Sequence, residues 1–539
     1  MTLKEGGIGW LLACYRKVPG FAAVTEAGYR TVAENRPFFS AAQRLPELAL
    51  GRPENFVLTR WVLLRAMALI YLMAFVSLAV QVTGLLGPDG ILPANQLLVA
   101  VKNHMGSSSY WFFPTLCWLN ASNGFLLFLT WGGAALALLL LLGIAPAICA
   151  ALCWLSYLSL TTVGGDFLMF QWDALLLEAG FLTIWLAPWQ WREWRTQPQM
   201  PSPLVIWLFR LLIFRFILFN GLVKLLSGDS SWSDLTALTY HYFTQPLPTA
   251  VAWWTIQAPP WFHKFCCAGM FVIELILPFG IFLGRRLRLV AGASFVALQT
   301  LILINGNYGF FNFLTIAIAL SLLDDGWLRP RLPEKLTAWI ESRRPLLYVS
   351  FSRECLLGVV GALIIVLNVF AYFTPFTGRN RLPDTIRGSL ALLQPLELVN
   401  FYGAFAIMTR ERPEIVIEGS DDGKTWKEYG FKYKAGDLSR APVWAAPHQP
   451  RLDWQMWFAA LEAPHMPFWF ERLTEALLEN NPEVTRLLAI NPFPDRPPQY
   501  LRASLYQYQF TNSAERAATH HWWKREYVGA YMPQVNLQR

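Results

Sequence analysis

Residues 210–249 read RLLIFRFILFNGLVKLLSGDSSWSDLTALTYHYFTQPLPT. The stretch begins inside an apolar helix long enough to cross a bilayer, yet that helix carries Arg210, Arg215, Asn220 and Lys224. A Lys or Arg at the bilayer centre costs roughly 2.5–3.5 kcal/mol on insertion scales, so such residues face a bundle interior or a water-filled cavity. At about 100° per residue, Arg210, Asn220 and Lys224 fall within roughly an 80° arc, and Arg215 points elsewhere. One helix face is therefore polar, and a loop of Trp, Tyr, His and Pro hangs from its end.

Around this stretch the chain is a membrane protein by composition. Of its 539 residues 55% are hydrophobic and only 15% charged, and its mean hydropathy is positive. The net charge of +8 is spread in short clusters between apolar segments, which excludes a nucleic-acid-binding face. Apolar runs at 61–86, 124–142, 144–163, 167–189, 204–226, 265–283, 287–304, 308–323 and 355–373 predict eight or nine spans, the sixteen residues of 308–323 falling short of the ~20 needed.

Orientation follows from the loops. Arg192, Arg195, Arg285, Arg286, Arg288, Arg329, Arg331, Lys335, Arg343, Arg344 and Arg353 fall on one side, against Lys102 and Lys264 on the other. The richer side includes the basic segment 1–59, which has no cleavable signal pattern, so the N-terminus is expected in the cytoplasm. The loop 228–264 and everything after the last span are then extracytoplasmic.

The expected organisation is a cytoplasmic segment 1–59, a transmembrane domain 60–375, a linker 376–399 and an extracytoplasmic domain 400–539. In the last, EIVIEGSDDGKTWKEYGFKYK predicts a β-hairpin turning at Asp421, Asp422 and Gly423. YLRASLYQYQFT and WWKREYVGAYM predict strands; DWQMWFAALE and FWFERLTEALL predict helices. The sum is a mainly β domain, a sandwich with inserted helices.

Candidate chemistry is sparse. The seven cysteines form no C-x-x-C or zinc pattern, and no P-loop, Rossmann fingerprint, G-x-S-x-G or H-E-x-x-H motif occurs, so no metal or cofactor is expected. Asp173 and Glu178 lie in FQWDALLLEAGF about 140° apart on a helix, poorly placed as an acid/base pair but able to pair with Arg210, Arg215 or Lys224. Burial of Lys224 would favour a neutral amine able to act as a base. His241 between two tyrosines is a possible proton shuttle or a member of an interfacial aromatic cluster. The amides of INGNYGFFNF, at Asn305, Asn307 and Asn312, are expected to satisfy backbone groups.

The strings FQWDALLLEAGFL, VKLLSGDSSWSDLTALTYHYFTQPLPT, NGNYGFFNFLTIAIALSLLDD, HQPRLDWQMWFAAL, NPFPDRPPQYLRASLYQYQF and WWKREYVGAYMP resemble the lipase maturation factor family. The resemblance implies a polytopic membrane protein of the endoplasmic reticulum and secretory pathway, with a lumenal C-terminal region, that assists the folding and assembly of an immature secreted lipase. A bacterial member would face the periplasm from the inner membrane. The partners implied are that client, met by aromatic surface at Trp232, Tyr240, Tyr242, Trp454 and Trp457, and membrane lipid; Trp469, Trp522 and Trp523 are further aromatic candidates. A second, more distant likeness, of GLVKLL and the Trp-containing loop to the vitamin K-dependent gamma-carboxylase superfamily, implies the alternative of an intramembrane enzyme. There Lys224 would be the base on a lipid, quinone or peptide, assisted by Asp173, Glu178 or His241.

Overall fold

The computed structural model describes residues 56–193, 201–341, 351–377 and 383–537. Nearly all of the segment 1–59 with Cys14, together with Arg195, Arg343, Arg344 and part of the linker, lies outside the described residues.

In chain order, the helices that matter are α1 (Val57–Ala79), α2 (Asn123–Leu142), α3 (Pro146–Val163), α4 (Gln171–Leu186), α5 (Pro203–Leu226), α6 (Ala237–Thr244), α7 (Pro260–Phe271), α8 (Arg285–Asn305), α9 (Phe311–Ala319) and α10 (Phe351–Thr377). Among the described residues seven segments are long and apolar enough to cross a membrane: α1, α2, α3, α5, α7 with its continuation to Ile281, α8 and α10. The chain is thus a polytopic membrane protein. The runs expected at 167–189 and 308–323 form the shorter helices α4, 16 residues, and α9, 9 residues. At 1.5 Å per residue neither reaches across the ~30 Å hydrocarbon layer. Prolines open α3, α5 and α7, where a missing N–H costs nothing.

The C-terminal part contains β1 (Arg412–Ser420), β2 (Lys427–Glu428), β3 (Tyr500–Phe510) and β4 (Trp523–Val535), with α11 (Arg451–Leu461) and α12 (Phe468–Leu478) between β2 and β3. The strands form one antiparallel sheet in the order β2-β1-β3-β4. Ile415 pairs with Leu505 and Ile417 with Ala503. The hairpin is where the sequence predicts it, with Gly423 in the left-handed region at φ 69°, but β2 is two residues long. The expected sandwich is corrected to this one sheet: α11 packs against β1, so helix covers the face that a second sheet would cover.

Sheet and membrane helices share one continuous apolar core, running from Leu63 on α1 to Trp469 on α12. Polar contacts fasten the join. Ser77 Oγ on α1 accepts from Gln449 N (2.8 Å), and just past the helix Gln81 donates to Gln449 O (2.7 Å) and accepts from Arg451 N (3.0 Å). Asn307 accepts from Ala445 N (2.6 Å) and Ala446 N (3.1 Å) and donates to Val443 O (2.8 Å). These backbone groups belong to the C-terminal part, which is how the amide-rich turn is used.

The loop after α5 lies at the sheet end of the bundle. At the other end Arg285 (2.8 Å) and Arg288 (3.1 Å) pair with Asp324, and Asp325 accepts from the N-terminal amides of α1, Val57 N (2.8 Å) and Thr59 N (3.0 Å). Sheet and aromatic loop therefore share one side, and this arginine cluster takes the other.

Candidate functional site

α5 sorts its polar residues by direction, as the angular reading predicts. Arg210, fully buried, donates to Ser321 O at 2.9 Å. Arg215, on another face, pairs with Glu178 and donates to Asn368 Oδ1. Asn220 and Lys224 border a cavity of about 370 Å³ between α5, α6, α7 and α8.

Lys224 Nζ donates to Glu274 Oε1 (2.9 Å) and Oε2 (2.7 Å), and lies 5.5 Å from the centre of the Trp232 ring. Glu274 reaches the lysine because α7 continues into a single turn of π-helix, Val272–Ile276. Pro278 has no N–H to offer the Glu274 carbonyl, which breaks the regular ladder there. Gly221 allows the approach: a Cβ on it would stand 2.9 Å from Glu274 Cβ and 2.8 Å from Leu275 Cδ2. Sequence reasoning passes over Glu274, although a carboxylate alone in the apolar string FVIELILPFG is the signal for a buried cation elsewhere.

The rest of the cavity's polar lining is uncharged. Gln245 donates to the carbonyls of Asn305 (3.0 Å) and Tyr242 (3.3 Å), so its Oε1 accepts from Tyr308 Oη–H (3.1 Å). The Tyr308 oxygen then accepts from His241 Nε2–H (3.3 Å). Burial, and after it the Lys224 charge, push His241 down to about 4, so the ring is neutral at physiological pH. It keeps some accessible surface because it borders the cavity. A paired lysine, a neutral imidazole, a phenol and amides around apolar walls suit an uncharged amphiphile. Lys224 Nζ already meets both Glu274 oxygens, so action as a base would first require it to leave that carboxylate.

The other expected site residues lie elsewhere. Asp173 is fully buried and holds Arg451 of α11 in a two-pronged pair, Nη1–Oδ2 2.6 Å and Nη2–Oδ1 2.8 Å, with Tyr157 Oη donating to Oδ1 at 2.5 Å. Its partner thus comes from the C-terminal part, 278 residues away, and not from α5 as expected. Glu178 also accepts from Tyr402 Oη (2.7 Å). Both carboxylates tie the bundle to the sheet region, and neither lines the Lys224 cavity.

The expected aromatic contact surface is largely internal, which corrects that reading. Trp232, Tyr242, Trp454 and Trp457 are buried. Their polar edges are used inside: Trp232 Nε1 donates to Phe405 O (3.1 Å), Trp454 Nε1 to Asn307 O (3.2 Å) and Trp457 Nε1 to Thr244 O (2.8 Å). Trp469 and Trp523 are buried too, and half-buried Trp522 stacks edge-on against Trp253. Tyr240, beside Arg410, stays half-buried. Arg412 of β1, wholly buried, donates to the carbonyls of Phe243 (2.8 Å), Gln245 and Pro246 (2.8 Å). The loop is therefore gripped by the sheet.

Two family models match the chain: a lipase maturation factor transmembrane domain over residues 58–330 and a lipase maturation factor C-terminal domain over 398–533. Among similar proteins, lipase maturation factor 2 of Gallus gallus is 37% identical, covering 89% of this chain and 81% of its own length. Lipase maturation factor 1 of Bos taurus is 36% identical over 90% of this chain and 91% of its own. Lipase maturation factor 1 of Homo sapiens is 35% identical over 90% and 89%. No solved structure matches.

Proposed function

Since this chain belongs to the lipase maturation factor family, we propose that it is a membrane-bound maturation factor that assists an immature secreted lipase to fold and assemble. The observation that carries this reading is that the family match spans both halves of a fold whose halves are locked together. Helices, loop and sheet would act as one rigid body presenting a surface to the client. The sheet region and loop face the endoplasmic reticulum lumen, or the periplasm in a bacterium, and the N-terminus faces the cytoplasm; the charge asymmetry of the loops supports this side.

The client would meet aromatic and apolar groups that are exposed. On β4, the edge strand of the sheet, Tyr527 and Val528 are more than half exposed, as are Trp254 in the loop and Trp444 before α11. Rigid aromatic side chains give large contact area with little rotamer entropy to lose. The test is complementation: a cell lacking this protein is supplied with it or with a variant bearing Trp254→Ser, Trp444→Ser and Tyr527→Ser. Secreted lipase activity should return with the first and stay low with the second, and a photo-crosslinker at Tyr527 should capture the client. Normal lipase activity without the protein, together with no capture, would overturn the proposal.

A further inference from the structure

The opposite flank of α5 borders a second cavity of about 270 Å³, lined by α4, α5 and α10. Its walls are apolar: Leu182, Leu208, Leu212, Phe219 and Ile364. At its polar end the Arg215 charge is cancelled by Glu178, and Arg215 also donates to Asn368 and to Asn400 O (3.4 Å). Tyr372 borders the same space and is only 4% exposed; Arg215 and the Tyr402 backbone N–H lie close enough to donate to its oxygen, but no acceptor takes its O–H proton. A buried O–H donor without an acceptor costs roughly 1–3 kcal/mol. Water is a poor remedy, because a stable buried water needs about two to four polar partners and the neighbouring groups are already engaged.

The cavity also reaches the outside of the bundle. Ile365 and Val369 are wall residues and are 38% and 49% exposed on α10, a surface whose solvent is the bilayer. Tyr372 lies in the last part of α10, which ends at Thr377, and tyrosines near the end of a span meet the lipid head-group region. We propose that this cavity holds an acyl chain of a membrane glycerolipid, whose ester carbonyl accepts a hydrogen bond from Tyr372. An uncharged ester fits better than a carboxylate, since Arg215, the cation among the described residues that line the cavity, is already neutralised by Glu178. The C-terminal part forms one wall through Leu398, and Tyr402 donates to Glu178, so the lipid would sit against the join between bundle and sheet. This inference does not rest on the identity of the client.

The experiment uses the full chain in phosphatidylcholine nanodiscs doped with phosphatidylcholine carrying a diazirine on one acyl chain, or, in a second arm, with the free fatty acid bearing the same diazirine. After irradiation, labelled peptides are mapped by mass spectrometry. The phosphatidylcholine probe should concentrate on the peptides of α5 and α10 that line the cavity. Filling the cavity with Leu212→Trp should lower that label by about 10-fold and leave the outer face of α2 unchanged. Tyr372→Phe, which removes one oxygen and leaves the packing intact, should lower it by about threefold. Equal labelling of α2 and of the cavity peptides, indifferent to both variants, would show annular lipid only and overturn the proposal. Labelling by the fatty acid alone would overturn the ester assignment. If Leu212→Trp does not fold, the Tyr372→Phe result decides, and no change there overturns it.

Discussion

Replacing Lys224 by Met tests what the paired lysine is for. The Lys224–Glu274 side chains are each 7% exposed and joined at 2.7 Å, so deleting the cation leaves Glu274 buried without its counter-charge. Breaking a buried pair on one side costs about 3–5 kcal/mol, whereas replacing both members by apolar residues of similar size is neutral or stabilising by about 1–4 kcal/mol. Against an ordinary stability of about 5–15 kcal/mol the single loss is severe. The expected order of apparent melting temperature in detergent is therefore Lys224→Met well below the parent, and Lys224→Met/Glu274→Met close to it. Secreted lipase activity in complemented cells should follow the same order. A double variant as unstable as the single one would refute the pairing argument. A double variant that is stable but inactive would refute the structural role of the lysine and return it to chemistry.

Asp173→Asn should leave the Arg451 charge unmatched at the join, and limited proteolysis between α10 and β1 should accelerate by at least tenfold, about 1.4 kcal/mol of local opening; an unchanged rate would count against the anchor. Gly221→Val should destabilise by about 1–3 kcal/mol through overpacking against Leu275 and Glu274, read as a fall in melting temperature. His241 and His448 are both held at about 4, His241 by burial and then Lys224, His448 by burial and then Arg451 and Lys432. The folded form binds fewer protons than the unfolded one. Stability is thus full above pH 6.5 and falls as pH drops from about 6.5 to about 4, by up to about 3 kcal/mol per histidine. Melting temperatures across that window should flatten in His241→Gln/His448→Gln, and an equally steep profile would rule the histidines out.

What the sequence shows of this site depends on range. Four polar residues on one helix are local information, and the angular separation of Arg215 from Asn220 and Lys224 does correspond to two cavities on two flanks of α5. The partners are not local: Glu274 lies 50 residues from Lys224 and Arg451 lies 278 from Asp173. Alternation finds β1, β3 and β4 because a strand's period is a property of the strand alone. It does not say what covers them, which is why α11 replaces the expected second sheet. The aromatic loop is the sharpest instance. Its Trp and Tyr content is equally that of a contact surface and of a buried joint, and only the destinations of Trp232 Nε1 and of the Arg412 guanidinium decide between them.

That decision changes where function has to be sought. A loop free to hold a client needs backbone groups that can be released cheaply, yet residues 243–246 give three carbonyls to one buried arginine and Thr244 a fourth to Trp457. Charge-assisted bonds contribute about 1.5–3 kcal/mol each, so peeling the loop away costs more than a weak client contact returns. The loop is better understood as the joint through which bundle and sheet act together. Lys224 and Glu274 border the first cavity with Trp232 and His241 of that loop, and the second cavity touches the same join through Leu398. Anything occupying either space presses on the joint, and the exposed edge of β4 is carried by the sheet that the joint holds.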